Sequence, residues 1–450
     1  MPLTSISPPS KRGLDILLVS DEDYAESPPA SGRLSPLIRL RTALLRVTRW
    51  VDVQPPRMGT VLLATYARQA GLNAAVLNNV LASPLNRLRF RRLLRGGPLA
   101  VGISTVAIKY PGTAEKIVSD IRRYSPGSVI IMGGHGAGYA PEMRKYADIT
   151  VTGYGENALV RLLAGLKKGL AADSVPGVER GGDGLLAMGG DAYYEEGKPM
   201  LFPDWSIAGS PVKEFPVEGS RGCRYNCSFC TTPNRKRQVF RPPAEVLGEV
   251  LKDIGDYGAA RINFVDASFT TDPAFITEFL SLAAGRQPGF DWTCFSRVDD
   301  FTRQPGLPGR MRRAGCRLSY LGVESIHDDI LGRMRKGYDR KTIEKAFSSL
   351  EGLKVHVNFI IGFPGDTAEK VRETVDFIER FSLKEVSITP LYVPPALFEQ
   401  ARLDPEKFCR LRGEFDDSWA HDTMDRAGAV ELADWARRRL NRGKLIPMAY

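Results

Sequence analysis

Short apolar runs alternate with amphipathic stretches along the first 170 residues of the chain. Leu14 to Ser20 and Leu99 to Thr105 have the continuous apolar character of strands that are buried on both faces. Further strand-like runs lie at 128–132 and 149–152, and helical spacing marks the segments 55–71, 113–124 and 157–168. This alternation predicts an α/β domain, 14–170, with a doubly wound, Rossmann-like parallel sheet.

The alternation resumes in the second half of the chain. Six strand-like runs end near residues 218, 265, 296, 323, 361 and 389, with helical stretches between them. They predict a second α/β domain, 211–390, whose functional groups lie at the carboxyl ends of the strands. The other predicted segments are a disordered tail (1–13), a glycine-rich linker (171–210) and a C-terminal region (391–450) with an amphipathic helix at 426–440.

Composition and charge narrow the class of protein. The chain is 43% apolar and 25% charged, as in ordinary globular proteins. Since no run of eighteen apolar residues occurs and the N-terminus lacks a signal-peptide pattern, a cytoplasmic protein without a membrane span is expected. The six cysteines, three of them in one short stretch, fit a reducing compartment.

The net charge of +10 is concentrated in two groups of arginines. They could attract nucleic acid or a phosphorylated ligand, or they could form solvated helix faces. Because no RNA-binding module accompanies them, no nucleic-acid partner is predicted. The groups are Arg33, Arg39, Arg41, Arg46 and Arg49, and Arg87, Arg89, Arg91, Arg92 and Arg95.

Three cysteines occur within eight residues, as Cys223, Cys227 and Cys230. A short loop could turn these thiolates toward one point, as in an iron–sulfur cluster with one iron left open. A zinc knuckle or a disulfide pair is the alternative. Zinc would require a fourth ligand at suitable spacing, and the nearest candidates lie far downstream without a paired motif. These candidates are Cys294, Cys316 and His327.

The C-x3-C-x2-C spacing with Phe229 before the last cysteine resembles the radical S-adenosylmethionine (SAM) enzymes. The resemblance implies an open (β/α)6 barrel and a [4Fe–4S] cluster held by the three cysteines. SAM would bind the open iron, and an electron from an external donor such as flavodoxin or ferredoxin would cleave it to a 5′-deoxyadenosyl radical. The SAM contacts implied by matching strand ends are Phe229, Asp266, Ser268, Ser296, Arg297, Glu324, Ser325, Ile361 and Gly362. Lys336-Gly337 is a further landmark of these enzymes, expected to be structural.

The strand-end turns of the first domain resemble the cobalamin-binding domain that precedes many radical SAM barrels. The matching segments are Pro55-Pro56, Val101 to Ser104, Gly133 to His135 and Gly153 to Glu156. The residues implied to contact cobalamin are Ser104, Thr105, Gly133, Gly134, His135, Gly153, Gly155 and Glu156. The D-x-H-x-x-G motif that supplies a lower cobalt ligand is absent, so cobalamin would bind without that histidine. The alternative is a vestigial sheet that keeps the fold without the cofactor.

Near the C-terminus, Trp419 to Met424 resembles a segment found beside the substrate pocket of several such enzymes. Tyr392, Trp419 and His421 are therefore candidate substrate contacts. Alternatively, Trp419 packs the following helix onto the barrel and His421 caps that helix.

Together these features predict a cobalamin-dependent radical SAM methyltransferase that methylates a carbon of a small molecule, of the kind made in antibiotic biosynthesis. A tRNA methylthiotransferase would carry three more cysteines in its first domain, whereas residues 1–222 contain none. The first alternative is radical dehydration, epimerisation or rearrangement, for example of a sugar, with a vestigial cobalamin domain. The second is a cluster-containing regulator that binds cobalamin or nucleic acid.

Overall fold

A computed structural model of the chain describes residues 13–21, 57–108, 111–134, 141–190, 200–208, 214–230, 236–259, 261–284, 286, 289–393 and 419–440. The chain divides into two compact units, 1–212 and 213–449. The predicted tail up to residue 12, the first arginine group and Pro55-Pro56 lie outside the described residues.

The first unit is built on a seven-stranded sheet in the order β2-β1-β3-β4-β5-β7-β6, parallel except for the last pair. Its strands are β1 (Ile16–Ser20), β2 (Ala74–Asn78), β3 (Ala100–Ser104), β4 (Val129–Gly133), β5 (Ile149–Thr152), β6 (Val178–Arg180) and β7 (Leu186–Gly189). Its helices are α1 (Met58–Gln69), α2 (Pro84–Arg95), α3 (Pro111–Tyr124), α4 (Pro141–Arg144) and α5 (Glu156–Lys167), with 3-10 turns at Ala172–Ser174 and Trp205–Ala208.

Alternate residues of β1 explain why helices cover both faces of this sheet. Leu17 and Val19 pack into one core with apolar residues of α2 and α3, while Ile16 and Leu18 pack into a second core with α1 and α5. A strand buried on both faces reads as a continuous apolar run, which is what the sequence shows. The predicted doubly wound sheet is confirmed.

Part of the segment predicted as a linker joins this sheet instead. β6 and β7 form an antiparallel hairpin, and β7 pairs parallel with β5, so that Met188 lies opposite Val151. Met188 is fully buried. The glycine-rich turn between the two strands dominates the composition of this segment and hides its short apolar run.

The second unit contains a six-stranded parallel sheet in which the strands follow one another in sequence order, as in a β/α barrel left open between its first and last strands. Its strands are β8 (Glu214–Val217), β11 (Arg261–Phe264), β12 (Asp291–Ser296), β13 (Cys316–Glu324), β14 (Val355–Ile361) and β15 (Glu385–Pro390); a separate hairpin pairs β9 (Ser220–Cys223) with β10 (Arg237–Phe240). Its helices are α6 (Pro243–Tyr257), α7 (Pro273–Ala284), α8 (Val298–Arg303), α9 (Leu307–Arg313), α10 (Asp328–Arg333), α11 (Arg340–Ser348), α12 (Ala368–Arg380) and α13 (Arg426–Arg439).

Aromatic side chains fill the layer between this sheet and its helices. Phe264 of β11 stacks on Phe269 at 4.1 Å between ring centroids, and Phe279 of α7 and Trp292 of β12 meet it edge-on. Such edge-to-face clusters add to the free energy gained from apolar burial. At the other end of the sheet, α13 packs on β15, and the guanidinium of Arg437 donates two hydrogen bonds to the Ile388 carbonyl.

The second arginine group lies on α2, which buries Phe90 and Leu94. Arg87 and Arg91 form ion pairs with Asp120 of α3. None of the helices in the described part of the chain has the length and apolar character needed to cross a lipid bilayer.

Candidate active site

The three clustered cysteines lie on and after β9. Cys223 ends that strand opposite Arg237 of β10, and Gly222 before it has φ +80°, which a side chain would strain. Cys227 is buried, while Cys223 and Cys230 are half-buried. We refer to residues 223–230 as the cysteine loop.

Contacts at both ends hold the cysteine loop on the barrel. Ser228 donates its backbone N–H to the Met334 carbonyl at 3.0 Å and its hydroxyl to the Arg333 carbonyl at 2.9 Å. The N–H of Lys236 donates to the Tyr225 carbonyl at 3.2 Å. The loop is therefore fixed against the turn that follows α10.

Arg297, at the end of β12, reaches directly into the cysteine loop. Its Nη1 lies 3.8 Å from Cys227 Sγ, and its guanidinium lies 3.6 Å from the centroid of the Tyr225 ring. Burial lowers the pKa of the Arg297 guanidinium. The opposing charge interactions with Asp299, Tyr338 and Tyr225 are larger, so the pKa is raised above its ordinary value. A permanent positive charge thus faces the Cys227 sulfur.

Lys336 supplies a second buried cation. Its Nζ donates to the Gly322 carbonyl at 2.7 Å, lies 3.5 Å from a carboxylate oxygen of Glu324 and is 5.6 Å from the centroid of the Phe229 ring. Burial lowers the pKa of the ammonium, but Tyr338 and Glu324 more than compensate, so it stays above its ordinary value. Glu324 itself has φ +69°, a conformation uncommon for a residue with a side chain.

These residues suit an iron–sulfur cluster better than a zinc ion or a disulfide. All five described cysteines are free thiols. Among the described residues, no three His, Cys, Asp or Glu side chains are grouped so that they could hold a single metal ion. Burial raises the pKa of the Cys223 thiol, so an isolated thiolate would be disfavoured there. Binding to iron replaces that proton, and the cations beside Cys227 and Phe229 offset the negative charge of a thiolate-bound cluster.

Asp266, predicted to contact SAM, is committed to the segment that leads into the cysteine loop. Its buried carboxylate accepts hydrogen bonds from the Gly219 N–H, at 3.0 Å, and from the Ser220 hydroxyl. Burial raises the pKa of this carboxyl to about 7, against the opposing effect of those two donors. The structure thus gives Asp266 a supporting contact, and its contact with SAM stays a prediction.

The raised pKa of Asp266 predicts a pH dependence of stability. Because the folded protein favours the protonated carboxyl, this contribution is full below the unfolded pKa, near 4, and is lost as pH rises through about 7. Asp266→Asn should remove roughly 4 kcal/mol of this dependence at most. The measurement is the free energy of unfolding between pH 5 and 8, with the exposed Asp291→Asn as control. An unchanged slope in Asp266→Asn would contradict the assignment.

The three serines predicted to contact SAM use their hydroxyls inside the protein. Ser268 Oγ lies 3.4 Å from a carboxylate oxygen of the buried Asp300, and Ser296 Oγ bonds Ser319 Oγ at 2.9 Å. Both serines are almost fully buried. Ser325 Oγ accepts the N–H of His327 at 3.2 Å. Their direct SAM contacts would require these bonds to be exchanged.

The turn after β14 is fixed by the C-terminal segment. Gly362 donates its N–H to Asp366 at 2.9 Å, and its carbonyl lies 3.1 Å from His421 Nε2. Phe363, next in the turn, meets Phe229 of the cysteine loop edge-on at 6.5 Å. The predicted adenine-contacting turn at Ile361-Gly362 therefore adjoins the cysteine loop.

Of the three predicted substrate contacts, the structure leaves only Tyr392 substantially exposed, at 40%. Trp419 is 0% exposed, donates its indole N–H to the Leu391 carbonyl and stacks on His421. The structure thus gives Trp419 a packing role, and its contact with substrate stays a prediction. His421 is also buried, which lowers its pKa, and it holds Gly362.

The residues predicted to contact cobalamin gather at the carboxyl ends of three adjacent strands, β3, β4 and β5. Thr105 donates both its N–H and its hydroxyl to the Gly133 carbonyl, at 2.8 and 2.9 Å. Ser104 lies opposite Gly133 in the sheet, and Gly153, Gly155 and Glu156 form the turn into α5. His135 lies outside the described residues.

A substitution of Gly134 tests whether cobalamin binds at this edge of the sheet. It has φ +103°, and a Cβ there would lie 3.0–3.2 Å from Val106 and the Thr105 nitrogen. Gly134→Ala should cost about 1–3 kcal/mol of unfolding free energy and reduce retention of cobalamin. The control is Gly59→Ala on α1, where no atom lies within 4 Å. Thermal unfolding and cobalt per chain after desalting are measured; equal cobalt retention in both variants would argue against this edge as the binding site.

Sequence reasoning missed several residues around the cysteine loop. Arg297 is surrounded by Tyr225, Asp299 and Tyr338. Lys336, for which the sequence predicts a structural role, is a buried cation beside Phe229. For Lys336, the Lys336-Gly337 landmark was the feature of the sequence that could have pointed to a place near the cysteine loop. The others have no recognisable motif, because their proximity arises when the fold brings together the cysteine loop, α8 and the segment between α10 and α11.

Comparison with known protein families matches both units. The Radical SAM superfamily model matches residues 217–378, and the B12 binding domain model matches 47–163. These matches confirm the combination of domains and the cofactors expected from the sequence.

Individual proteins agree with this arrangement. An uncharacterized methyltransferase of Pyrococcus horikoshii is 26% identical over 76% of this chain and 77% of its own length. The anaerobic magnesium-protoporphyrin IX monomethyl ester cyclase of Rubrivivax gelatinosus is 25% identical over 71% of this chain and 61% of its own length. The radical SAM methyltransferase TsrM of Kitasatospora setae, solved with cobalamin and a [4Fe–4S] cluster bound, has the same fold, with a TM-score of 0.63 at 17% identity, covering 87% of this chain and 75% of that one.

Proposed function

The chain is a cobalamin-dependent radical SAM enzyme of the methyltransferase-like type, and from this premise we propose that it transfers a methyl group to a carbon atom of a small-molecule substrate. The observation that carries the proposal is the pairing of a cysteine loop, backed by the buried cations Arg297 and Lys336, with a B12-binding domain in one chain. When bound, the cluster supplies the electron that cleaves SAM to a 5′-deoxyadenosyl radical, and cobalamin supplies the methyl group.

The protein's own residues would hold and orient these groups. Cys223, Cys227 and Cys230 would ligate the cluster, and Phe229 with the Ile361-Gly362 turn would orient SAM beside it. Gly362 already uses its N–H and carbonyl within the protein, and the carbonyls of Ile361 and Phe363 accept the N–H groups of Leu391 and Asp366. The turn would therefore meet adenine with a backbone that is already fixed. Glu324, held by Lys336, would face the ribose.

Cobalamin would rest on the carboxyl edge of β3, β4 and β5. Gly134 and Gly153, with φ +103° and +78°, bring backbone rather than side chains to this edge. A flat macrocycle can then approach closely. The exposed Tyr392 remains a candidate contact for the substrate.

The substrate, electron donor and compartment are also proposals. A flavodoxin or ferredoxin would supply the reducing electron, and a reducing compartment such as the cytoplasm would protect the thiols and the cluster. A secondary-metabolite substrate, as in antibiotic biosynthesis, is likewise proposed; the methyltransferase TsrM, which shares the fold, was solved with the small molecule tryptophan as its substrate.

The deciding experiment measures cofactors and products together. The protein is purified without oxygen, reconstituted with iron and sulfide, mixed with hydroxocobalamin and desalted, and cobalt per chain is determined. Close to one cobalt per chain, with S-adenosylhomocysteine formed alongside 5′-deoxyadenosine on addition of substrate, is expected. Absence of both cobalt and S-adenosylhomocysteine would contradict methylation.

A second candidate function, radical chemistry without methyl transfer, is favoured by the similarity to a cyclase. That route forms 5′-deoxyadenosine without S-adenosylhomocysteine. Their ratio in a single turnover therefore separates the two functions.

A further inference from the structure

Each nitrogen of the Arg297 guanidinium has a partner inside the protein. Its Nε donates to Asp299 at 2.9 Å, its Nη2 donates to the Lys336 carbonyl, and its Nη1 lies 3.8 Å from Cys227 Sγ. The planar group can satisfy several acceptors at once only in a fixed orientation. The SAM contact that the sequence resemblance implied for Arg297 would therefore require some of these bonds to be exchanged.

Two tyrosines further restrict this guanidinium. Tyr225 lies 3.6 Å from it and Tyr338 lies 5.1 Å from it, measured to the ring centroids, and Arg297 is only 7% exposed. Water and salt screen such a buried charge much less than a surface charge. The hydrogen bond to the sulfur and the positive charge thus act together on Cys227.

The charges around Cys227 are arranged asymmetrically. Arg297 presents its Nη1 to the sulfur, while its counter-ion Asp299 binds through Nε on another edge of the guanidinium. Asp299 is in turn 3.5 Å from Arg303, whose guanidinium also bonds the Tyr225 hydroxyl at 2.8 Å. The cation Arg297 thus faces the Cys227 sulfur, while the Asp299 carboxylate is held by Arg297 Nε and Arg303.

From this geometry we infer that Arg297 is a positioning residue that fixes the Cys227 thiolate and raises the reduction potential of the cluster, with Asp299 as the opposing charge. The inference rests on the proposed function, since it requires the cysteine loop to hold a cluster. Adding one electron makes the cluster one charge more negative, so a nearby cation favours the reduced form. Hydrogen bonds to the sulfurs and local charge are known determinants of cluster potentials.

The two residues therefore predict shifts of opposite sign. Arg297→Gln removes the cation and leaves Asp299 behind, so the reduced cluster is disfavoured. Asp299→Asn keeps the cation and removes its counter-charge, so the reduced cluster is favoured. Arg297→Lys keeps the charge without the planar fork and should fall between wild type and Arg297→Gln. A purely structural role would not produce this order.

The test is a redox titration of the reconstituted full-length protein, followed by electron paramagnetic resonance of the reduced cluster. At a fixed potential, Arg297→Gln should change the ratio of reduced to oxidised cluster at least tenfold toward the oxidised form. For a one-electron couple this corresponds to a decrease of about 59 mV in the reduction potential. Asp299→Asn should move the ratio the other way. The control is Arg340→Gln, which breaks a surface ion pair with Glu344 and should leave the ratio unchanged.

Iron and sulfide content are measured for each variant, so that failure to hold a cluster is separated from a shift in potential. If Arg297→Gln loses the cluster, Arg297→Lys and Asp299→Asn decide the outcome. The inference would be overturned if Arg297→Lys and Asp299→Asn both had the wild-type potential. It would also be overturned if Arg297→Gln and Asp299→Asn shifted the potential in the same direction. Wild-type protein that takes up no cluster would instead refute the proposed function, and this result requires no substrate.

Discussion

Cys227→Ala is expected to lose the visible absorbance of the cluster and all cleavage of SAM. Cys227 is the buried member of the three cysteines and the one that Arg297 contacts. Removing one of three thiolates leaves too few ligands to hold a cluster that keeps one iron open for SAM. Anaerobic reconstitution, followed by absorbance, iron content and the yield of 5′-deoxyadenosine, measures the effect.

Cys294→Ala is the matched control. This cysteine is also buried, in β12, where its sulfur contacts the hydroxyls of Ser296 and Ser319. Its replacement should leave iron content and SAM cleavage intact and cost about 1 kcal/mol of stability. Full SAM cleavage by Cys227→Ala would remove the basis for the cluster assignment.

Trp419→Ala is expected to lower the free energy of unfolding of the enzyme by about 3–5 kcal/mol, as for other fully buried large side chains. The indole lies against the Gly362 position, where an added Cβ would come within 2.5 Å of it, and its N–H bonds the Leu391 carbonyl. The cavity should also loosen the Gly362 turn and weaken SAM binding. Thermal unfolding and SAM affinity are measured on the reconstituted protein.

Trp419→Phe separates packing from hydrogen bonding. It retains most of the apolar volume and loses only the bond to Leu391, so it should be clearly more stable than Trp419→Ala. If both variants kept wild-type stability and lost activity only, a direct substrate contact by Trp419 would be the better explanation.

The elements best predicted from the sequence are those whose local pattern and burial agree. The strand at 149–152 has the predicted bounds, and the helices α6 and α7 lie between successive strands of the second sheet, as predicted. Pro243 and Pro273 begin the two helices, where the missing N–H costs nothing. Burial on both sheet faces produced the uninterrupted apolar run of β1.

Elements that depend on distant partners were not predictable. β9 and β10 are polar and short, and they are strands because they pair with each other around the cysteine loop. Asp266 follows β11 at the position expected of a SAM contact, yet its carboxylate accepts hydrogen bonds from Gly219 and Ser220, which lie 47 and 46 residues away in the sequence. No local pattern encodes which donors such a carboxylate will meet.

The same holds within the candidate site. The spacing of Cys223, Cys227 and Cys230 predicts the cluster ligands, because all three lie in one loop. The surroundings of Cys227 come from Arg297, after β12, and from Lys336 and Tyr338, in the segment between α10 and α11. Their juxtaposition follows from the fold and could be read only from the structure.

The two bonds from Arg437 to the Ile388 carbonyl bear on how the protein behaves at high concentration. β15 is the last strand of its sheet, and an edge strand with open carbonyls is a template for pairing with another molecule. Helix α13 lies on β15 and occupies one of those carbonyls. Shortened versions that end before residue 426 should therefore aggregate, and α13 sets the minimal length for a catalytic fragment intended for crystallisation.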